Sequence, residues 1–205
     1  MLRLGVQVRQ LFPESFLQPS KLFRPSAEAR PRAFPGYNIS VEFRLRDFRP
    51  EDFETLWNID QKCFAPGIAY SRRELSIYIR RRRAFTVVAE SCGGKSEPQD
   101  SEIVGFIVAE ANSRGIGHVI SIDVLPQVRR SGLGSMLLAK AEERLGSDGC
   151  RAVMLETAVD NLSALAFYKR HAYHVIKAVP RYYSNETDAL VLAKQLRQAK
   201  DGTAG

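Results

Sequence analysis

The stretch VRRSGLGS, residues 128–135, sits between an apolar run ending near Leu125 and an amphipathic segment. Gly132 and Gly134 let backbone N–H groups approach an anion with no Cβ in the way. A helix opening there turns the positive end of its dipole toward the same spot, which suits a pyrophosphate. Arg129 and Arg130 add charge at the rim. The loop is not GxxxxGK[ST], and Leu137 stands where the third glycine of GxGxxG belongs. A second stretch, LETAVDNLSALAFYKRHAY at 155–173, sets a carboxylate, Glu156, inside an apolar strand. Asn161 opens a helix as its N-cap, and Tyr168 follows two turns later. Glu156 and Tyr168 thus offer a base and an acid for one cleft.

Other reactive residue types are less promising. His171 and His174 straddle a helix end with no further ligands nearby in sequence, so no metal site is expected. Cys63, Cys92 and Cys150 are far apart, with neither a CxxC pair nor an evident Cys–His pair. They read as small apolar residues in a reducing compartment, taken as the cytoplasm. The arginines at 80–83 read as the solvated end of a helix, favourable against its dipole.

Periodicity predicts the elements that must position these groups. Residues 39–46 alternate like a strand, with Val41, Phe43 and Leu45 on one face and Glu42, Arg44 and Arg46 on the other. A helix over 49–63 carries Phe53, Leu56, Trp57 and Asp60 at helical spacing, with Pro50 in its first turn. A loop over 64–70 follows. Ser71 and Glu74 form a capping box for a helix running to about 83. Strands over 85–90 and 103–111 make a hairpin, and 118–125 is the next strand. Helix 132–145 turns Leu133, Met136, Leu137, Ala141 and Leu145 to the core. Strand 152–157, helix 161–172 and strands 173–179 and 188–194 complete an order of β-α-α-β-β-β-α-β-α-β-β. That order gives an α/β fold, one mixed sheet with helices on both faces.

Composition sets the outer bounds. The chain is 44% hydrophobic and 26% charged, ordinary for a domain that buries a core. The longest uncharged apolar run, 103–109, is too short to span a bilayer, so no membrane association is expected. Net charge is +7, but residues 1–38 hold six basic and two acidic residues, leaving only +3 for the remainder. Direct nucleic-acid binding is therefore not expected. Residues 1–38 also carry five of the ten prolines and no lasting period. They lack the apolar stretch and cleavage site of a secretory signal. A basic, acid-poor start suits an organelle transit peptide; a disordered extension or a misplaced start codon is the reading preferred here. The domain is expected over 39–197, with 198–205 a flexible tail.

Taken together, the two stretches resemble the Gcn5-related N-acetyltransferases (GNAT). The R-x-x-G-x-G/A signature stands here as Arg129-Arg130-Ser131-Gly132-Leu133-Gly134, and N-x-x-A-x-x-[FL]-Y as Asn161 through Tyr168. The resemblance covers about 39–196 and implies a mixed sheet of about seven strands flanked by four helices. Within that family, GHVISIDVLPQVRRSGLG, MLETAVDNLSALAFYKRHAY and RYYSNETDALVL are similar to the RimI and archaeal Ard1 branch of N-terminal protein acetyltransferases. Asp160 replaces that branch's usual serine, Ala172 its usual glycine, and Asn185-Glu186-Thr187-Asp188 its glycine-bearing turn.

The resemblance implies acetyl-CoA as co-substrate and direct attack of an amine on the thioester in a ternary complex. By position, backbone groups of Ile122, Asp123 and Val124 would follow the acetyl and pantetheine arm. Arg129, Arg130, Ser131, Gly132, Leu133, Gly134 and Ser135 would hold the pyrophosphate, and Asn161 and Tyr168 would contact the cofactor. Glu156 would accept the amine proton, Tyr168 would protonate the leaving thiolate, and His118 would assist Glu156. Phe64, Pro66, Tyr70, Tyr182 and Tyr183 would hold the acceptor. The implied acceptor is a protein or peptide N-terminus, a ribosomal protein being one candidate, and the enzyme would be a monomer or weak dimer. Proton accounting favours that acceptor. At pH 7 roughly a tenth of an α-amine (pKa near 8) is neutral, against about 0.04% of a lysine (near 10.4). Two rival functions remain open: acetylation of a small amine or a lysine, and a non-catalytic CoA-binding module.

Overall fold

The computed structural model describes residues 42–92 and 101–196; the expected extension, the C-terminal tail and the start of the first strand lie outside them. Seven strands and four α-helices follow in the expected order. They are β1 (Glu42–Asp47), α1 (Phe53–Cys63), α2 (Arg72–Ile79), β2 (Ala84–Cys92), β3 (Glu102–Ala111), β4 (Ile116–Val124), α3 (Leu133–Ser147), β5 (Ala152–Ala158), α4 (Leu162–Arg170), β6 (His174–Val179) and β7 (Ala189–Gln195). The strands form one sheet in the order β1-β2-β3-β4-β5-β7-β6. Only β4 and β5 pair in parallel; every other neighbour is antiparallel. Among the described residues no helix is long and apolar enough to cross a membrane.

The inner strands β2 and β3 are buried along most of their length, because helices cover both faces, and so they read as continuous apolar runs. α1 and α2 lie on one face and α3 on the other. α3 sits close because Gly117 has no side chain: a Cβ there would fall 2.6 Å from Leu145 Cδ1. Leu133, Leu137, Leu138, Ala141 and Leu145 are fully covered. Burying each leucine is worth about 1.5–3 kcal/mol. Met136, expected in the core, is 41% exposed; it lies in the first turn of α3.

One further expectation changes, and the charged face of β1 carries an ion network. Arg46 is largely covered. Its guanidinium binds both oxygens of the buried Asp52 at 2.7 and 2.9 Å, and its Nε binds Glu90 at 2.6 Å, tying β1 to the start of α1. Bidentate geometry makes such a pair strong enough to offset partial burial. The helix expected to run to about 83 stops earlier, at Ile79 with Arg80 as its C-cap, and Arg80, Arg82 and Arg83 are exposed as expected. Arg81 instead turns inward and donates to Glu110 on β3 at 2.8 Å, with its guanidinium 4.3 Å from the centre of the Tyr78 ring.

The sheet is also divided. β4 and β5 keep only three paired positions, Ile116 with Ala152 through His118 with Met154. Just beyond, the β3–β4 register slips: Val108 faces Ser121 but Ala109 faces Val119, leaving Ile120 as the extra residue of a bulge. A bulge bends its strand and increases local twist. β4 then leaves β5, and a cleft opens between them.

Candidate active site

The cleft holds about 1010 Å³. The residues of both informative sequence stretches converge on it. Ile122 and Val124 line it from β4, Glu156 from β5, and Asn161 and Tyr168 from α4. Arg129, Arg130, Gly132, Gly134 and Ser135 close one end. Phe64, Tyr70, Tyr182 and Tyr183 stand at the other, with Ile68 and Tyr78.

The phosphate-type end is built by backbone. Arg130 (φ 66°) and Gly132 (φ 92°) both take the left-handed conformation, which turns the chain sharply into α3. The amides of Gly132, Gly134 and Ser135 donate to no acceptor among the described residues. They are the unsatisfied first donors of a fifteen-residue helix, aimed with its dipole at the cleft. A Cβ built on Gly132 meets nothing within 4 Å, so this face is open for an anion. Arg129, Arg130 and Arg170 line the same cleft. Ser131 braces the turn instead, its hydroxyl donating to the Val128 carbonyl at 2.7 Å, and the Leu133 side chain is core. An anionic, amide-bearing ligand fits here: phosphates to the free amides, and a polar arm along the β4 edge that β5 leaves unpaired beyond His118.

His118 and Glu156 lie where the strands separate. His118 Nε2 and Glu156 Oε2 are 2.7 Å apart. His118 does not line the cleft; it stands behind Glu156, which does. Tyr168 is buried, and burial together with the nearby Asp123 carboxyl raises its hydroxyl well above the ordinary value, so the phenol stays protonated and able to donate. Burial likewise pushes the Cys63 thiol up to about 11, so this cleft residue is no nucleophile near neutral pH. His171, which bonds Ser135 Oγ at 2.9 Å, is lowered by burial and joins no metal cluster. Among the described residues no group of three or more His, Cys, Asp or Glu side chains is placed to hold a metal.

Asp123 offers only its backbone near the cleft. Its carboxyl is 1% exposed and turns toward α1; Ser121 Oγ donates to Oδ2 at 2.6 Å, and Oδ1 has no partner among the described residues. Asp60 lies close enough to repel it. Asp60 Oδ2 accepts the Tyr70 amide at 2.8 Å and Gln61 Nε2 at 3.0 Å. Burial and then Asp60 raise Asp123 well above the carboxylate range. A raised folded-state value costs stability as pH climbs past the unfolded carboxyl value near 4. Asp123→Asn, neutral at every pH, should therefore raise Tm, and more at pH 8 than at pH 5. Melting curves at the two pH values check this; an unchanged or lower Tm at both would place the proton elsewhere.

The other end of the cleft is roofed by two loops that touch. Ser184 Oγ, between β6 and β7, donates to the Gly67 carbonyl, between α1 and α2, at 2.7 Å. Tyr182 and Tyr183 pack edge to face, in a cluster that includes Ile68. Tyr70 donates its hydroxyl to the Ile120 carbonyl at 3.1 Å, so the bulge residue anchors this wall. Pro66 is exposed and outside the lining. Tyr78, Ile68 and Arg170 line the cleft without having been singled out; nothing in their local pattern separates them from ordinary helix or loop residues.

Residues 53–173 match the Acetyltransferase (GNAT) family. An uncharacterized N-acetyltransferase of Methanocaldococcus jannaschii is 34% identical over 102 residues, which cover 49% of this chain and 65% of that protein, just under two thirds of its length. The N-alpha-acetyltransferase of Sulfurisphaera tokodaii is 28% identical over 167 residues, 76% of this chain and 94% of that protein. Among solved structures, Ard1 from Thermoplasma volcanium superimposes with a TM-score of 0.67 at 25% identity, covering 77% of this chain and 99% of that one.

Proposed function

We propose, given that this chain belongs to the acetyltransferase (GNAT) family and is an acyltransferase whose donor is acetyl-CoA, that it acetylates the N-terminal α-amine of a protein or peptide. The observation carrying this reading is the roof over the acceptor end. The Ser184–Gly67 bridge and the aromatic walls leave a confined approach to Glu156, suited to a slender chain end. The similarity to the Sulfurisphaera N-alpha-acetyltransferase over most of both chains supports the same acceptor.

Bound acetyl-CoA supplies a thioester carbonyl as electrophile and a thiolate as leaving group. The chain's own residues do the rest. The free amides of Gly132, Gly134 and Ser135, with Arg129 and Arg130, hold the phosphates. The unpaired edge of β4 along Ile122–Val124 holds the amide-bearing arm in an extended line, and Asn161 borders it. Glu156 accepts the ammonium proton of the acceptor, and Tyr168 donates its phenolic proton to the departing sulfur.

The test is a pool of free-amine peptides, ribosomal-protein N-termini among them, alongside Nα-blocked lysine peptides and small amines. The products are located by mass spectrometry. Acetyl groups on α-amines, with blocked peptides left unmodified, are the expected result. Preferential labelling of lysines or small amines would overturn the N-terminal assignment. Absence of thiol release with every acceptor would favour a CoA-binding role without catalysis.

A further inference from the structure

The register that builds the base also surrounds His118. Glu110 and His118 are directly opposite on β3 and β4, so their side chains share a face. Glu156 lies on β5 two residues beyond Met154, the parallel partner of His118, and so on the same side of its strand. The imidazole is therefore flanked: Nε2 is 2.7 Å from Glu156 Oε2, and Nδ1 is 3.8 Å from Glu110 Oε1. The second distance is an ion-pair contact rather than a hydrogen bond. Arg81 Nη1 binds that same Glu110 oxygen at 2.8 Å. Among the described residues, the charged groups facing the ring are Glu156 from β5 and Glu110 from β3, with Arg81, beyond α2, behind Glu110. The four groups alternate in sign and sum to zero.

We infer that Glu110 is a positioning residue that holds His118 doubly protonated, so that His118 clamps Glu156 and Glu156 alone receives the acceptor's proton. The inference rests on the reading of Glu156 as proton acceptor. An imidazole with a carboxylate near each nitrogen is favoured as the doubly protonated cation, because both negative charges stabilise it. A neutral ring would turn a lone pair toward one of them. Burial by itself would lower the His118 value, but the Glu156 charge and the Glu110 contact overcome it and raise it to about 10. Glu110 is held below the usual carboxylate range against its own burial, by His118 and by Arg81. A cationic His118 has no vacant nitrogen for the ammonium proton. Its Nε2–H instead occupies Glu156 Oε2 and fixes that carboxylate in the cleft wall. Because the folded value exceeds the unfolded one near 6.5, the stabilisation from this cluster is complete below about pH 6.5 and lost as pH rises through about 10.

The experiment is an NMR titration of the His118 ring nitrogens in the free enzyme, with no acceptor present, for wild type and Glu110→Gln. In wild type both nitrogens should stay protonated at pH 8. In Glu110→Gln the midpoint should fall by about one pH unit or more. The basic limb of kcat/KM should move with it, giving a deficit that grows from pH 7 to roughly threefold at pH 9.5, with the KM for acetyl-CoA within about twofold of wild type. Glu110→Asp, which keeps the charge, should restore part of the shift. Arg81→Gln removes the competing cation and should leave the midpoint at or above wild type. A purely structural role would lower Tm and kcat at every pH in both variants without moving the titration. A Glu110→Gln midpoint within about 0.3 unit of wild type overturns the inference; should that variant not fold, a wild-type His118 ring with an unprotonated nitrogen at pH 8 does so. If the titration shifts as expected but wild type acetylates no peptide, the acceptor assignment fails and the positioning role stands.

Discussion

Glu156→Gln should lower kcat/KM for an N-terminal peptide by roughly 10²–10⁴-fold at pH 7, the range that a general base contributes. Glutamine keeps the shape and a polar partner for His118 Nε2 at the splayed edge of β5. It takes no proton near neutral pH. The acceptor α-amine titrates near pH 8, so rising pH supplies amine already neutral, and the deficit should shrink toward pH 9. A pH series of kcat/KM with one peptide reads both features. Wild-type turnover at pH 7 would remove Glu156 as base. Tyr168→Phe is the complementary change: it keeps the buried ring and its packing against Phe167 and Tyr173, so acetyl-CoA affinity should hold while kcat falls over a similar range.

The second large effect is expected at Gly132. Gly132→Asp should weaken acetyl-CoA binding by roughly a hundredfold or more, about 2.7 kcal/mol, while the domain still folds. Two causes combine. The position has φ 92°, which costs any L side chain about 1–2 kcal/mol. The added carboxylate would stand on the open cleft side of the turn, among amides and arginines suited to phosphates. No protein atom lies within 4 Å of the new Cβ, so the loss should come from charge and backbone rather than from an internal clash. Gly132→Ala separates the two by carrying only the backbone cost. Calorimetry showing unchanged acetyl-CoA affinity in folded Gly132→Asp would refute this location for the phosphates.

Local signals made much of the molecule legible. The Ser71–Glu74 capping box, the Asn161 N-cap and the glycines of the 128–135 loop are contacts within a few residues, and all three appear where their spacing put them. The element order was readable because apolar period reports which face each segment buries. Glu156 was visible as a carboxylate in an apolar strand, and Tyr168 by its fixed distance from Asn161 along one helix. Alternation along β1 marks two faces, but not that one carries a buried ion network closed by Asp52 and Glu90.

The amino-acid sequence by itself determined the elements, their order and the glycine-bearing loop before α3, since each depends on neighbours along the chain. Tertiary structure decided where those pieces meet. The parting of β4 from β5 after three paired positions follows from a bulge at Ile120, a register event between two strands that neither strand's pattern records. The Ser184–Gly67 roof joins loops 117 residues apart, and Glu110 reaches His118 only because β3 and β4 pair in that register. Arg81 looked like a solvated helix end until α2 stopped at Ile79 and a carboxylate from β3 stood within 2.8 Å. Asp123 shows the same divide: its charge was plain in the sequence, but its proton depends on Asp60, a residue from α1 buried beside it. Composition and period report how far a side chain is buried. They do not report which other buried charge lies next to it, and that neighbour sets protonation and, through it, chemistry.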